Sequence, residues 1–252
     1  MVSHVTEGAQ VKNGAVCYIK HSLPLLDEPK NLRIKFSKTG SLQYISHLDL
    51  QRLFGRAAVR AGIPLWYTQG FNPHPKMVFA LPLPVGVQSV CEFLDVKIDK
   101  AIDECDVADL LNRVLTDEMK ILEVYEPDTK FADIASADYE IVLKTPGASE
   151  TLAASIKSFI TGGGVIMKKH TKSGEKEIDI TDMVLSFDAD YNPESACITV
   201  KARCVAGAES LNPEYIISSL KQYEVLPKVS LLEESYSIMR LRVLRVDGSE
   251  FK

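Results

Sequence analysis

Three arginines recur every fourth residue within one helical segment, at Arg52, Arg56 and Arg60. Residues four apart lie on the same face of an α-helix, so this spacing predicts three neighbouring guanidinium groups. A guanidinium donates two parallel hydrogen bonds to a phosphate, and like charges this close repel unless an anion or an acidic partner screens them. The pattern therefore predicts a phosphate-binding face. The alternative is a solvated face that is neutralised by Asp49 and by acids of the neighbouring sheet.

A second candidate site is the stretch Gln69–Lys76, in which glycine and two prolines fix an irregular loop. The loop presents the side chains of Phe71, Asn72, His74 and Lys76. Aromatic residues stack on the bases of single-stranded RNA, so Phe71 and Trp66 could hold bases while Lys76 contacts the backbone. In the alternative interpretation both aromatic residues fill the core, and the prolines only shape the turn.

Catalytic and metal-binding patterns are weak. His47, in the first predicted turn of the arginine helix, could form an acid/base pair with His74, or the two histidines could have capping and loop roles. The five cysteines are far apart and form no CxxC motif, so we expect free thiols in a reducing compartment, no metal and no cofactor. The sequence favours a protein that is not an enzyme.

The elements around these residues follow a recognisable order. Hydrophobic periodicity predicts a strand from Leu32 that turns at Gly40 and resumes over Leu42–Ile45, then a helix over His47–Gly62. Further segments complete the order strand, helix, strand, strand, helix, strand, which is the split βαβ or ferredoxin-like unit. The later predicted segments of this first unit are strands at Met77–Leu83 and Glu92–Ile98, a helix at Val107–Leu115 and a strand at Lys120–Tyr125.

A similar order follows after the linker Pro127–Ala137. We therefore predict an α+β protein of two tandem ferredoxin-like modules, residues 31–126 and 137–252, preceded by an extension, residues 1–30. Residues 171–192 are an insert in the second module and are predicted to form a hairpin or short strands. The alternative is one continuous α+β domain with a larger mixed sheet.

Charge is distributed unevenly along the 252 residues. The net charge of the chain is −5, but the segment 31–80 contains seven basic residues against Asp49 alone, a net charge of +6 that leaves −11 for the rest. Such a balance argues against indiscriminate nucleic-acid binding and for a localised basic surface. The apolar run Met77–Val87 is broken by prolines, and the N-terminus lacks a secretory pattern, so we expect a cytoplasmic protein with no membrane partner.

Residues 36–96 resemble the radical SAM-linked protein family, a bacterial domain of unknown function. The resemblance is carried by the SHLDL opening of the helix, the Arg56-Ala57 and Arg60-Ala61 pairs, the GFNPHPK loop and the Leu-Pro-Leu strand with Gly86. It implies that the chain is the stand-alone form and that its partner is a radical SAM enzyme. The three closely spaced cysteines that hold a radical SAM cluster are missing, so the chain is not itself that catalyst.

Three functions are consistent with these residues. The first is a non-catalytic accessory protein that presents RNA, such as tRNA or ribosomal RNA, to the radical SAM enzyme through the arginine helix and the loop. The second is a metal-independent endoribonuclease, because tandem ferredoxin-like modules with a histidine near the first helix resemble CRISPR repeat-cleaving enzymes. His47 would then be the base and Lys76 the phosphate stabiliser. The third is a protein-interaction module without RNA.

Overall fold

A computed structural model describes residues 23–171, 174–228 and 233–252. Within these residues the chain forms ten strands and four α-helices, so the α+β prediction is confirmed. The first six elements are β1 (Leu25–Lys38), α1 (His47–Ala61), β2 (Met77–Phe79), β3 (Val87–Lys100), α2 (Glu104–Asn112) and β4 (Ile121–Tyr125). The others are β5 (Ile134–Lys144), α3 (Glu150–Thr161), β6 (Ile166–Thr171), β7 (Gly174–Asp179), β8 (Val184–Asn192), β9 (Cys197–Val205), α4 (Glu214–Gln222) and β10 (Ser235–Arg245).

One mixed sheet runs through both halves of the chain. Its strands follow the order β4-β1-β3-β10-β5-β9-β8, and β2 pairs with the later part of β3. The two halves meet where β10 pairs in parallel with the start of β3, at Ile238–Arg240 against Val87–Ser89, and the other pairs in this sheet are antiparallel. β6 and β7 form a separate hairpin that begins before the predicted insert 171–192, whereas β8, inside that insert, is an edge strand of the large sheet.

Each half has its own apolar cluster. In β1, Leu32, Ile34 and Phe36 alternate with polar residues, and their side chains pack with α1 and α2. The period of two gives one buried face to the strand, and the helical period gives one buried stripe to each helix. A second cluster contains the inward faces of α3 and α4 together with β5, β9 and β10.

The structure corrects several predicted boundaries. β1 begins at Leu25, which pairs with Lys100, so residues 25–30 belong to the sheet and not to an extension. Residues 1–22 of the predicted extension lie outside the described residues, as do residues 172–173 and 229–232. α2 begins earlier than predicted, directly after Asp103, and ends at Asn112.

The predicted strand Leu42–Ile45 is instead part of a 3-10 helix, Gly40–Tyr44. The Glu118 carboxylate accepts hydrogen bonds from the Ser41 backbone N–H (3.0 Å) and hydroxyl (2.5 Å), so the segment is tied to the turn before β4. A local turn that depends on a carboxylate so distant in sequence leaves no trace in hydrophobic periodicity. In the described part of the chain, no helix has both the length and the apolar character needed to span a bilayer.

Candidate phosphate-binding groove and loop

The ends of α1 are fixed by local sequence. At the N-terminus the Ser46 hydroxyl accepts a hydrogen bond from the Asp49 backbone N–H (3.2 Å) and donates one to the Asp49 carboxylate (2.7 Å). Serine is a favoured N-cap because its oxygen satisfies one of the unpaired N–H groups of the first turn. At the other end Gly62 adopts a left-handed conformation (φ +71°), which glycine allows at low cost. These two residues define the helix that carries the arginines.

Arg52, Arg56 and Arg60 line one groove of about 480 Å³ between α1 and the turn that connects α2 to β4. The prediction that they share a helix face is thus consistent with the structure. The other lining residues are largely apolar side chains from both elements: Asp49, Leu53, Ala57, Val114, Leu115, Thr116 and Met119. The groove therefore combines cationic groups with an apolar lining.

Only one of these arginines has an acidic partner among the described residues. Arg52 donates to the Asp49 carboxylate at 3.1 Å, and both side chains are exposed. The Ser46 hydroxyl and then Arg52 lower the pKa of Asp49 below its usual value, so this acid is ionised at neutral pH. The side chains of Arg56 and Arg60 form no ion pair or hydrogen bond with any residue of the described ranges, and both are exposed. Two guanidinium groups of the groove thus face solvent without a counter-charge.

The predicted loop is the tip of a short hairpin. The Lys76 backbone N–H donates to the Trp66 carbonyl (3.1 Å), and Trp66 donates in turn to the Lys97 carbonyl of β3 (2.8 Å). Phe71, at the tip, is fully exposed, so the interpretation that it fills the core is wrong. Trp66 is half-buried, and the Lys97 ammonium lies 5.6 Å from its ring centroid. The hairpin therefore presents an aromatic ring and the exposed Lys76 side chain to solvent.

The two histidines have separate surroundings. Nδ1 of His74 lies 3.1 Å from the Thr68 hydroxyl and 3.2 Å from the Asn72 carbonyl oxygen, so this ring and Asn72 stabilise the hairpin. The His47 ring packs edge-on against Phe79 of β2, with centroids 5.1 Å apart. Within the described ranges no hydrogen bond or ring contact joins His47 to His74, so the contacts do not assemble the predicted acid/base pair.

The groove and the hairpin flank α1 and do not form one pocket. Gly55 and His47 face β2, where Met77 and Phe79 lie, and the hairpin leads directly into this strand. The groove runs along the face that carries Leu53, and no hairpin residue lines it. A ligand that contacts both surfaces must therefore cross the exposed face of α1.

Sequence reasoning missed two parts of this surface. The turn Val114–Met119 forms one wall of the groove, although its sequence shows only a helix end. On the outer face of α1, Leu48 and Val59 are 61% and 63% exposed. They break the apolar periodicity of the helix, which is a signal that could have identified them as surface residues.

The described residues contain no group of three or more histidine, cysteine, aspartate or glutamate side chains placed to hold a metal ion. Burial raises the pKa of Cys91 to about 11 and that of Cys204 to about 12, so both thiols stay protonated at neutral pH. Cys105 is exposed and free, and Cys17 lies outside the described residues. Low-pKa reactivity is not expected of the two buried thiols.

Residues 31–213 match the family model described as "Uncharacterized protein conserved in bacteria (DUF2344)". The chain belongs to this family. The DUF2344 match includes α1, the hairpin and the groove, and it extends through the second half to the residue before α4. Because the family is uncharacterised, membership transfers no activity to these residues.

Among curated proteins, none matches this DUF2344 member. A crystal structure of an unknown protein from Galdieria sulphuraria is similar with a TM-score of 0.25 and 10% sequence identity, over 84% of this chain and 99% of that chain. A TM-score this low supports no inference about fold or function.

Proposed function

We propose that this chain is a non-catalytic accessory protein that binds RNA through the α1 groove and the hairpin tip. The observation that carries the proposal is the unneutralised pair Arg56 and Arg60, in a groove whose lining is otherwise mainly apolar. Single-stranded RNA offers both matching chemistries, because its phosphates accept from guanidinium groups and its unstacked bases bury on apolar or aromatic surfaces. The exposed Phe71 ring supplies a further stacking surface beyond the groove.

The proposed partner is a radical SAM enzyme, and the proposed RNA is a tRNA or a ribosomal RNA. The support is the sequence resemblance of residues 36–96, which include α1 and the hairpin. The surroundings of the two histidines are consistent with a non-catalytic, accessory role. The His47 ring packs against an aromatic ring, and the His74 ring is hydrogen-bonded within the hairpin. Among the described residues, no hydrogen bond to the His47 ring orients it as a general base, and the bonds that orient His74 lie within the hairpin itself.

We also propose that each half of the chain is one ferredoxin-like module. The support is the order of strands in the sheet, which is β4-β1-β3-β2 in the first half and β10-β5-β9-β8 in the second. Both orders place the first and third strands of the half side by side, with the fourth strand beside the first and the second beside the third. In this interpretation the β6–β7 hairpin is an addition to the second module.

The test is binding of the purified chain to total cellular RNA across a salt series. We expect log affinity to fall with log salt at a slope of about −0.7 for each phosphate contact on single strands. An Arg52→Ala/Arg56→Ala/Arg60→Ala variant should bind weakly and with a flatter slope. The matched control is Lys144→Ala/Lys176→Ala/Lys201→Ala, which removes the same charge from the second half and should bind like wild type.

Equal loss in both triple variants would show a non-specific charge effect and would overturn the proposal, as would RNA binding by neither wild type nor control. RNA shortening without metal that Lys76→Ala slows and His47→Ala abolishes, with binding retained, would establish the nuclease alternative. The Phe71→Ala variant isolates the hairpin, because it removes the exposed ring without changing charge. We expect it to weaken RNA binding while the salt slope stays the same.

The exposed Leu48 and Val59 favour a second candidate function, docking of α1 on an acidic protein surface. Apolar side chains on the outer face of a helix, next to arginines, are typical of protein interfaces, which are enriched in arginine. A Leu48→Ser/Val59→Ser variant distinguishes the two functions. RNA binding should be unchanged in this variant, whereas docking on a protein partner should be lost.

A further inference from the structure

A row of buried polar side chains crosses the sheet where the two halves meet. Lys38 of β1 pairs with Ser89 of β3, Ser89 pairs with Arg240 of β10, and Arg240 pairs with Tyr139 of β5. Directly paired residues on neighbouring strands have their side chains on the same face of a sheet. Lys38 is 2% exposed and Arg240 is 1% exposed. Lysine and arginine are almost never buried to this degree unless they are paired.

The charges of this row do not balance. Arg240 donates from Nε to Glu92 (3.1 Å), and Nη2 donates to the same carboxylate and to the Leu81 carbonyl (2.8 Å). Glu92 is itself buried. The Lys38 ammonium forms no hydrogen bond or ion pair within the described residues. Burial lowers the pKa of Lys38, Glu92 opposes this shift and Arg240 adds to it. The row therefore contains two buried cations and one buried carboxylate, which is paired with Arg240.

A cavity of about 170 Å³ adjoins the charged row. Arg240 and Tyr139 line it from the sheet, the segment before β3 contributes Leu81, Pro82 and Pro84, and the segment that leads into α4 contributes Ser210–Pro213. The cavity is well below the roughly 300–1,000 Å³ of pockets for organic ligands. Its size suits a small ion with a few water molecules, and Tyr139 and Ser210 add hydroxyl donors.

We propose that this seam binds a small oxyanion of the phosphate class, held by Arg240 and Tyr139 and balanced by the Lys38 charge. A buried cation without a partner is costly, and an anion at the seam would restore the balance of two positive and two negative charges. Arginine donates to planar and tetrahedral oxyanions through its remaining N–H groups. The site is separate from the α1 groove, because the two cavities share no lining residue.

The first measurement is thermal unfolding of the full chain with inorganic phosphate against sodium chloride at matched ionic strength. Phosphate should raise the Tm of wild type in proportion to the logarithm of its concentration once the site is saturated. Lys38→Met should weaken phosphate binding at least tenfold, as measured by titration calorimetry. Without phosphate the same variant should unfold at a higher temperature than wild type, because an unpaired buried charge has been removed.

A second variant keeps the test decisive if Lys38→Met fails to fold. Ser210 is exposed at the cavity, so Ser210→Trp obstructs it from the surface and should abolish the phosphate response while the chain remains folded. The Arg52→Ala/Arg56→Ala/Arg60→Ala variant should keep the response of wild type. Adenosine 5′-monophosphate distinguishes the source of the anion: tighter binding than phosphate indicates the terminal phosphate of a larger molecule, and weaker binding indicates free phosphate.

Two results would overturn the proposal. One is an equal phosphate response in wild type, Lys38→Met and Ser210→Trp, which would place the bound anion elsewhere on the protein. The other is a wild type without any phosphate response, which would mean that Lys38 is accommodated as a neutral amine. Failure of RNA binding at the α1 groove would leave both measurements unaffected.

Discussion

The exposed arginines of the two halves differ in how their charge is balanced. In the second half, Asp138 of β5 accepts from Arg203 of β9 (2.7 Å) and from Arg242 of β10 (2.6 Å). Asp138 is the cross-strand neighbour of both, so the sheet register alone brings the three side chains together. On α1, by contrast, the side chains of Arg56 and Arg60 form no ion pair with a carboxylate of the described residues. Within the described residues, the fold supplies an acid to the arginines that support the sheet, but to only one of the three that line the groove.

The buried arginines extend the same comparison. Arg33 donates through Nε and Nη2 to both oxygens of Asp95, at 2.7 and 2.8 Å, and its guanidinium lies 4.5 Å from the Phe131 ring centroid and 4.8 Å from that of Phe251. Arg240 is paired with Glu92. Arginine therefore has two uses in this chain, structural where it is paired and available for binding where it is not, and stability measurements should separate them.

The largest effect should come from the most deeply buried pair. Arg240→Met leaves the Glu92 carboxylate buried without its partner, so we expect the free energy of unfolding to fall by about 3–5 kcal/mol. Urea denaturation followed by circular dichroism measures this. The control is Arg240→Met/Glu92→Leu, which removes both charges and should recover most of the loss. A single variant within about 1 kcal/mol of wild type would contradict the structural role of Arg240.

The next effect is expected at the paired, partly exposed arginines. Asp138→Asn removes the charge shared by Arg203 and Arg242 and should cost about 1–2 kcal/mol at pH 7, because both arginines keep some solvent screening. Burial alone would raise the pKa of Asp138, but the two arginines outweigh it and lower the pKa. The stabilisation is thus present above the unfolded-state pKa of about 4 and is lost as pH falls through the lower folded-state pKa.

Urea titrations of wild type and Asp138→Asn between pH 7 and pH 2 test both parts of this prediction. The two stabilities should converge only at the acidic end of the series. A difference that stays constant across the whole range would mean that the variant acts through packing or backbone geometry and not through the carboxylate charge.

The difference between the two classes of arginine could be predicted only in part from sequence. The spacing of Arg52, Arg56 and Arg60 places them on one helix face, because helical periodicity is a local property. The pairing of Asp95 with an arginine of the basic segment also follows from neighbouring strands. The partner of Glu92, by contrast, is Arg240, which lies 148 residues away in sequence and is brought close only by the pairing of β3 with β10.

Contacts between distant segments explain the other differences as well. The groove wall around Leu115 depends on how the α2–β4 turn packs and has no periodic signal. Lys38 follows Phe36 in the alternation of β1, but its charge conceals that it is buried. Phe71 shows the opposite error. Its type suggests a core residue, but the hairpin that Trp66 and Lys76 close carries it away from the sheet. Composition predicts burial on average, and tertiary pairing decides it at a given position.

A smaller effect on stability is expected at the N-cap of the first helix in each half. Ser46 caps α1 and Ser149 caps α3, each by accepting a backbone N–H at 3.2 Å. Replacement of either by alanine should cost about 1 kcal/mol of stability. Ser46→Ala should also weaken RNA binding, since it frays the helix that carries the arginines, whereas Ser149→Ala should not. Equal RNA binding by both variants would show that the first turn of α1 does not position the binding site.

The smallest effect on stability is expected where the proposed effect on binding is largest. Arg56→Ala and Arg60→Ala remove no described ion pair, so each should change the free energy of unfolding by no more than about 0.5 kcal/mol. The double variant also relieves the repulsion between like charges on one helix face, and this gain should offset part of any loss of stability. Because salt screens this repulsion, added salt should stabilise wild type more than the double variant. The part of the stability difference that comes from repulsion should shrink as the Debye length falls below the spacing of the guanidinium groups. Urea denaturation of both proteins in a sodium chloride series measures this. A destabilisation of 2 kcal/mol or more would mean that these arginines are structural, and the contrast with Arg203 and Arg242 would then be lost.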